Sequence, residues 1–314
     1  MTPVATPVAL RAHTWDAALE ETLSGGSDAP AAGVAAVHSV HARVVNIRCG
    51  AKLIALAHGD LDDAPWTIRI IEHDWPMIAS ARVGDGVAFA ADAVVLRPED
   101  DDLRITLAPA DAVVLRADTG IPSHESLRLA LSVLDGMPSP APATPFGALA
   151  ADALIAGIRR LEAAARGLLA SGDPAMNAPV ATAAERLLGL GEGLTPSGDD
   201  VLTGLAFVCA HPGFHLAALL PPLRAAAATA DRRTTQLSEV TLRAALTGRA
   251  RRRMHDLVDA VIARAERDLR TAVAKTAEIG HSSGHDILTG IRLGMHLSAS
   301  TTIRPIPSDQ GDHR

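Results

Sequence analysis

The sequence predicts an α+β protein in two parts: a small N-terminal β-barrel or sandwich over residues 1–122, then a mainly α-helical domain over residues 123–314. Three observations lead there. Between about residues 33 and 118 short β-like runs alternate with turn residues. After residue 122 the apolar spacing changes to a helical period. The 314-residue chain is 48% hydrophobic but only 2% aromatic and has no tyrosine, which favours a large aliphatic core.

The β-like runs are "RVVNIRC", "LIALAHG", "WTIRII", "GVAFAADAVVL" and "LRITLAPADAVVLRA". Between them "GDLDDAP" and "RPEDDD" read as solvated turns, because acidic runs beside Gly or Pro are costly to bury. "SHESLRLALSVLDGM" then opens with a Ser N-cap, and "PSPAPATPFG" is a Pro-rich connection. Beyond it Leu154, Ile155, Ile158, Leu161, Leu168 and Leu169 share a helix face, and Met254, Leu257, Val258, Val261, Ile262, Ala265 and Leu269 form a second stripe. "HPGFH", from His211 to His215, is a turn between helices, since two histidines with no nearby acidic third ligand make a weak zinc signal.

Charge and composition exclude several function classes. A net charge of −7 gives no basic field for DNA or RNA, and the scarcity of aromatics removes the usual base-stacking platforms, so no nucleic-acid partner is expected. No apolar stretch nears the roughly 20 residues that span a bilayer, and "MTPVATPVALRAHTWDAALE" lacks a signal-peptide pattern, so a cytoplasmic protein without a membrane partner is expected. Cys49 and Cys209 form no metal-type pair. Cys209, in "LAFVCAH", reads as a buried structural thiol.

One eight-residue phrase occurs twice. "SGDDVLTG" starts at Ser197 and "SGHDILTG" at Ser283, pairing Gly198 with Gly284, Asp199 with His285, Asp200 with Asp286 and Gly204 with Gly290. Ser-x-x-Asp before an apolar run reads as a capping box, so each copy should start a helix. Leu202, Leu205, Leu288 and Ile291 would face inward, and a glycine two turns in implies close backbone contact, most simply two helices crossing at Gly204 and Gly290. Upstream, "GLGEGLTPSGDD" and "EIGHSSGHD" are glycine-rich approaches to helix N-termini, the makings of an anion site. Three uses of Asp199, Asp200 and Asp286 stay open: capping, binding the amide end of a substrate, or holding a divalent cation with substrate phosphate. No other cofactor and no protein metal site is expected. His281 and His285 stand beside Asp286 as candidate general acids or bases. Between the copies "ADRRTTQLSEVTLRAALTG" puts Thr234, Thr235 and Ser238 at a helix start, hydroxyls suited to carboxylate or phosphate. "GRARRR", from Gly248 to Arg253, is a solvated helix face or a contact for an acidic partner.

Taken together, "GLGEGLTPSGDDVLTGL", "TTQLSEVTLRAALTG" and "GHSSGHDILTGI" resemble the AllH family, which includes a subunit of bacterial oxamate carbamoyltransferase; "HSVHARVVNIRCG" resembles it more loosely. The resemblance implies carbamoyl transfer between phosphate and oxamate or a related small acid, in allantoin or related purine-nitrogen breakdown, with other carbamoyltransferase subunits as partners. The residues themselves supply the site roles. Gly193, Thr195, Ser197, Gly198, Thr234, Thr235, Ser238, Ser282, Ser283 and Gly284 would cradle the anionic substrate, carbamoyl phosphate or oxamate. Asp199, Asp200 or Asp286 would orient its amino group, and His281 or His285 would move a proton. Two alternatives remain: a non-catalytic metabolite-binding or scaffold subunit, and a metal-assisted amidohydrolase.

Overall fold

The computed structural model describes residues 7–23, 35–50, 52–98, 102–116, 119–138 and 144–301. The signal-peptide reading at residues 1–6, part of the acidic break at 99–101 and part of the Pro-rich connection at 139–143 lie outside them. The chain divides into two compact units, Met1–Ala117 with Arg249–His255, and Asp118–Gly248 with Asp256–Arg314. The short second piece of the first unit is one that no linear division of the sequence assigns.

The first unit is a closed barrel. Its strands are β1 (Val8–Asp16), β2 (Ala35–Val40), β3 (Val44–Cys49), β4 (Lys52–His58), β5 (Thr67–Ile70), β6 (Gly86–Ala90), β7 (Ala93–Arg97) and β8 (Leu103–Thr106), with a two-residue β9 (Ala112–Val113) beside β1. The order is β5-β4-β3-β2-β6-β7-β8-β1, and β1 pairs with β5 to close the ring, which removes the exposed edges of an open sheet. Inward positions are aliphatic, among them Val45, Ile47, Ile54, Leu56, Ile68, Ile70, Leu96 and Ile105. Two short helices, α1 (Glu20–Leu23) and α2 (Trp75–Ala79), accompany the strands.

Three readings of this half need correction. Strand β1 lies outside the predicted β-like runs, yet Leu10 and Ala12 alternate with exposed Ala9, Arg11 and His13 as a half-buried strand requires. "GVAFAADAVVL" is a hairpin rather than one run: Phe89 pairs with Val94 across the turn at Ala91 and Asp92. The "GDLDDAP" turn and the "GRARRR" segment are not merely solvated, because they bind one another. The Arg252 N–H donates to the Asp63 carbonyl (2.9 Å) and the Arg253 N–H to the Asp62 carboxylate (3.2 Å). Arg249 reaches the Asp16 carboxylate and lies 4.3 Å from the Trp66 ring centroid.

The second unit holds α3 (His124–Asp135), α4 (Pro145–Ser171), α5 (Asn177–Glu185), α6 (Ser197–Ala210), α7 (Leu220–Ala227), α8 (Gln236–Ala245), most of α9 (Arg252–Ile262), α10 (Glu266–Ala277) and α11 (Ser283–Thr301). The expected Ser cap exists: the Ser123 hydroxyl accepts from the Ser126 N–H at the start of α3. "HPGFH" is the expected turn, with Pro212–Phe214 in a tight 3-10 helix and His215 in the left-handed region. The apolar stripe from Met254 to Leu269 is two helices, because the chain turns at Arg264, whose φ is 54°. Cys209 is buried in α6 and its thiol pKa is raised by that burial.

Helices α6 and α11 form the centre of this unit, crossing at the two predicted glycines. A Cβ on Gly204 would lie 2.1 Å from the Ile287 carbonyl oxygen, and one on Gly290 would lie 2.0 Å from that of Val201. The contacts are reciprocal, since Ile287 is the second-copy counterpart of Val201 at the 86-residue offset. The two copies therefore pack as a pseudo-two-fold pair. Leu202, Leu205, Leu288 and Ile291 are all buried, as the phrase predicts.

Candidate functional site

The capping boxes do not form. The N-cap of α6 is Pro196, one residue earlier than the capping box requires, and its carbonyl accepts from the Asp199 and Asp200 N–H groups (2.9 and 3.2 Å). In the second copy the Ser282 carbonyl takes the equivalent place, accepting from the His285 and Asp286 N–H groups at the same two distances. Ser197 and Ser283 thus become the first helical residues, and their hydroxyls are free to cross to the other copy. Thr195 Oγ1 and Ser283 Oγ stand 2.7 Å apart. The Ser197 hydroxyl lies near enough to the Asp286 carboxyl to favour its charged form.

The acids sit in different surroundings. Asp199 is buried; its Oδ1 accepts from the Gly189 N–H (2.9 Å) and its Oδ2 from the Thr234 hydroxyl, with Ser238 close by. Burial raises its pKa, and the Thr234 hydroxyl and the Gly189 N–H pull the other way, with a smaller effect of nearby Ser238. Asp200 is also buried, in the first turn of α6. Asp286 is half-buried, and burial pushes its carboxyl up to about 6 against a smaller opposing effect of Ser197. Its Oδ2 and the neighbouring His285 Nδ1 are buried atoms with no hydrogen-bond partner among the described residues. His281 stays exposed in the turn before α11 and makes no hydrogen bond among them.

The glycines serve different ends. The Gly198 N–H donates to the Leu190 carbonyl (2.8 Å) and the Gly284 N–H to the Ile279 carbonyl (2.9 Å), so neither amide points at a ligand. That corrects the expectation that both would cradle an anion. A side chain at either would strike backbone, the Leu187 carbonyl oxygen at 2.0 Å for Gly198 and the Thr276 one at 2.2 Å for Gly284. Gly193, exposed with φ 94°, has open space around it. No backbone carbonyl among the described residues accepts from the Gly191, Gly193 or Ser197 N–H.

The third predicted helix start joins the same place. Thr235 caps α8 by accepting from the Ser238 N–H (3.2 Å), and its hydroxyl donates to the Leu194 carbonyl (2.8 Å). Thr234 was expected to meet substrate; its hydroxyl instead meets Asp199. The only sequence signal that Gly189 partners Asp199 is its place in the glycine run. The start of α4 also reaches this loop, through the Thr144 hydroxyl on Glu192 (3.0 Å).

Residues 187–295, which contain α6, α8, the first part of α11 and both copies of the repeated phrase, match the family described as oxamate carbamoyltransferase subunit AllH. Residues 11–112, running from β1 to β9, match the AllH family N-terminal domain. The chain belongs to the AllH family. No solved structure matches it. In this AllH chain the cluster is assembled from the starts of three helices, α6, α8 and α11, and the loop of residues 189–195. Among the described residues no three His, Cys, Asp or Glu side chains are grouped to hold a metal ion, and no helix is long and apolar enough to cross a membrane. A cavity of about 520 Å³ lined by Glu125, Arg128, Leu129, Ser132, Arg264 and Glu266 shares no residue with the cluster.

Proposed function

We propose that this chain, working with other carbamoyltransferase subunits, moves a carbamoyl group between phosphate and oxamate or a related small acid in nitrogen catabolism, at the junction of its two repeated helix starts. The observation that carries the reading is the setting of Asp286: a half-buried carboxyl with a pKa near 6, beside an unpartnered imidazole nitrogen and the hydroxyls of Thr195, Ser197 and Ser283. The family description supplies the reaction class.

The chemistry asks for groups of this kind. The oxamate nitrogen attacks the carbamoyl carbon; the new C–N bond forms as the C–O bond to phosphate breaks, phosphate leaves with the electron pair, and the nitrogen gives up one proton. No protein nucleophile is needed. Asp286, ionised above about pH 6, is the acceptor for that proton, with His285 as the other candidate. The three hydroxyls, the Ser197 N–H and the free loop amides are donors for the substrate oxygens, and the converging helix N-termini favour the phosphate charge.

The test is calorimetry of the full chain with carbamoyl phosphate, phosphate and oxamate, on the wild type and on Ser197→Ala, Ser283→Ala and Asp286→Asn, followed by turnover in the assembled complex. Binding weakened by either serine change, with turnover lost in Asp286→Asn, supports the transferase reading. Binding with turnover untouched by Asp286→Asn makes the chain a metabolite-binding subunit.

A further inference from the structure

We infer that Asp199 is a positioning residue for the site proposed above: its carboxylate fixes the loop of residues 189–195 on the start of α8, and so sets where Thr195 meets Ser283. The carboxyl and imidazole left for substrate are then those of the second copy, Asp286 and His285, and the clamp rests on the functional reading only for its purpose.

The two copies match at their helix crossing but differ here. Where the first has Asp199, the second has His285. The backbone bond that closes the first loop runs from Gly198 back eight residues to Leu190; its counterpart runs from Gly284 back only five, to Ile279. The first loop is therefore three residues longer and has more chain to hold in place. Its extra length is anchored at three points along it. Asp199 accepts from the Gly189 N–H and the Thr234 hydroxyl, the Thr235 hydroxyl donates to the Leu194 carbonyl, and the Thr144 hydroxyl donates to Glu192. Gly189, with φ 73°, lies so close to α8 that a Cβ on it would stand 2.1 Å from the Arg233 carbonyl oxygen. Both oxygens of Asp199 are thus spent on the protein, whereas His285 Nδ1 and Asp286 Oδ2 have no protein partner among the described residues.

A clamp and a catalytic carboxylate respond differently to Asn. In Asp199→Asn the amide oxygen still accepts from Gly189 and the amide NH2 donates to the Thr234 oxygen, so both tethers persist without a charge. Asp199→Ala removes both, and Thr234→Val removes one with little risk to folding. The experiment is hydrogen–deuterium exchange over residues 187–196 in the full chain, with carbamoyl phosphate calorimetry on the same samples. Asp199→Ala and Thr234→Val should speed exchange of that segment about tenfold, the scale of one lost hydrogen bond to a charged group, with Asp199→Asn close to wild type in exchange and affinity. Unchanged exchange in Asp199→Ala or Thr234→Val overturns the clamp. So does a loss of affinity in Asp199→Asn with the segment still protected, because the charge would then be touching ligand. If the wild type binds no carbamoyl phosphate, the functional reading fails while exchange still decides the clamp.

Discussion

The hydroxyl oxygens of Thr195 and Ser283, 88 residues apart in the chain, stand 2.7 Å from one another and join the loop that leads into the first copy of the repeated phrase to the second copy. The Ser283 hydroxyl is available for it because the cap position of α11 falls on Ser282, one residue earlier, which leaves Ser283 nothing to cap. A double-mutant cycle with Thr195→Val and Ser283→Ala should give a coupling energy of about 1 kcal/mol in denaturant unfolding, the usual net worth of such a bond. Strictly additive losses would mean that the pair contributes nothing in solution.

The glycines at the helix crossing allow no side chain. Gly204→Ala and Gly290→Ala each place a Cβ about 2 Å from a facing carbonyl oxygen, and the helices must separate to admit it. Each should destabilise the chain by about 3 kcal/mol, the upper end of ordinary overpacking, even though alanine is the better helix former. The unfolding midpoint in urea checks this, and the pseudo-two-fold relation requires the two losses to be alike.

Asp286 gives the stability a pH dependence of definite sign. Its carboxyl titrates near 6 in the folded chain and near 3.8 when unfolded, so between those values the folded state binds the extra proton and stability falls as pH rises. The loss is complete above about pH 6. Two pKa units set its scale at about 3 kcal/mol, reduced to about 1–2 kcal/mol for a partly exposed group. Asp286→Asn should remove that slope between pH 4 and 6, read as the difference between the two melting-temperature profiles.

Arg249 and Asp16 make the most buried ion pair among the described residues of the barrel unit, with side chains 14% and 2% exposed. Asp16 is 3% exposed and also accepts from the Trp66 N–H (2.7 Å) and the Ala18 N–H (3.1 Å). Removing the guanidinium leaves a buried carboxylate short of its counter-charge. Arg249→Ala should therefore cost about 3 kcal/mol in unfolding free energy, and Asp16→Asn in the same background should recover part of it.

The sequence by itself determined the two kinds of architecture, the helix starts at both copies and the glycine crossing. Strand and helix periods are local, and a glycine inside a helix has one common reason to be there. It also carried the family, in motifs too long to arise from capping alone. It could not place β1, whose partners β5 and β8 lie at least 50 residues away in the chain. Nor could it foresee that Arg249 would be drawn onto the barrel, since a charge run looks the same whether solvated or paired. The roles of Asp199 and Asp286 were decided by tertiary structure alone. Both are aspartates in the first turn of a helix, yet one is enclosed by Gly189 and Thr234 and the other is left with an unpartnered oxygen. A carboxyl's proton affinity and partners come from what the fold packs around it, and segments remote in sequence supply that.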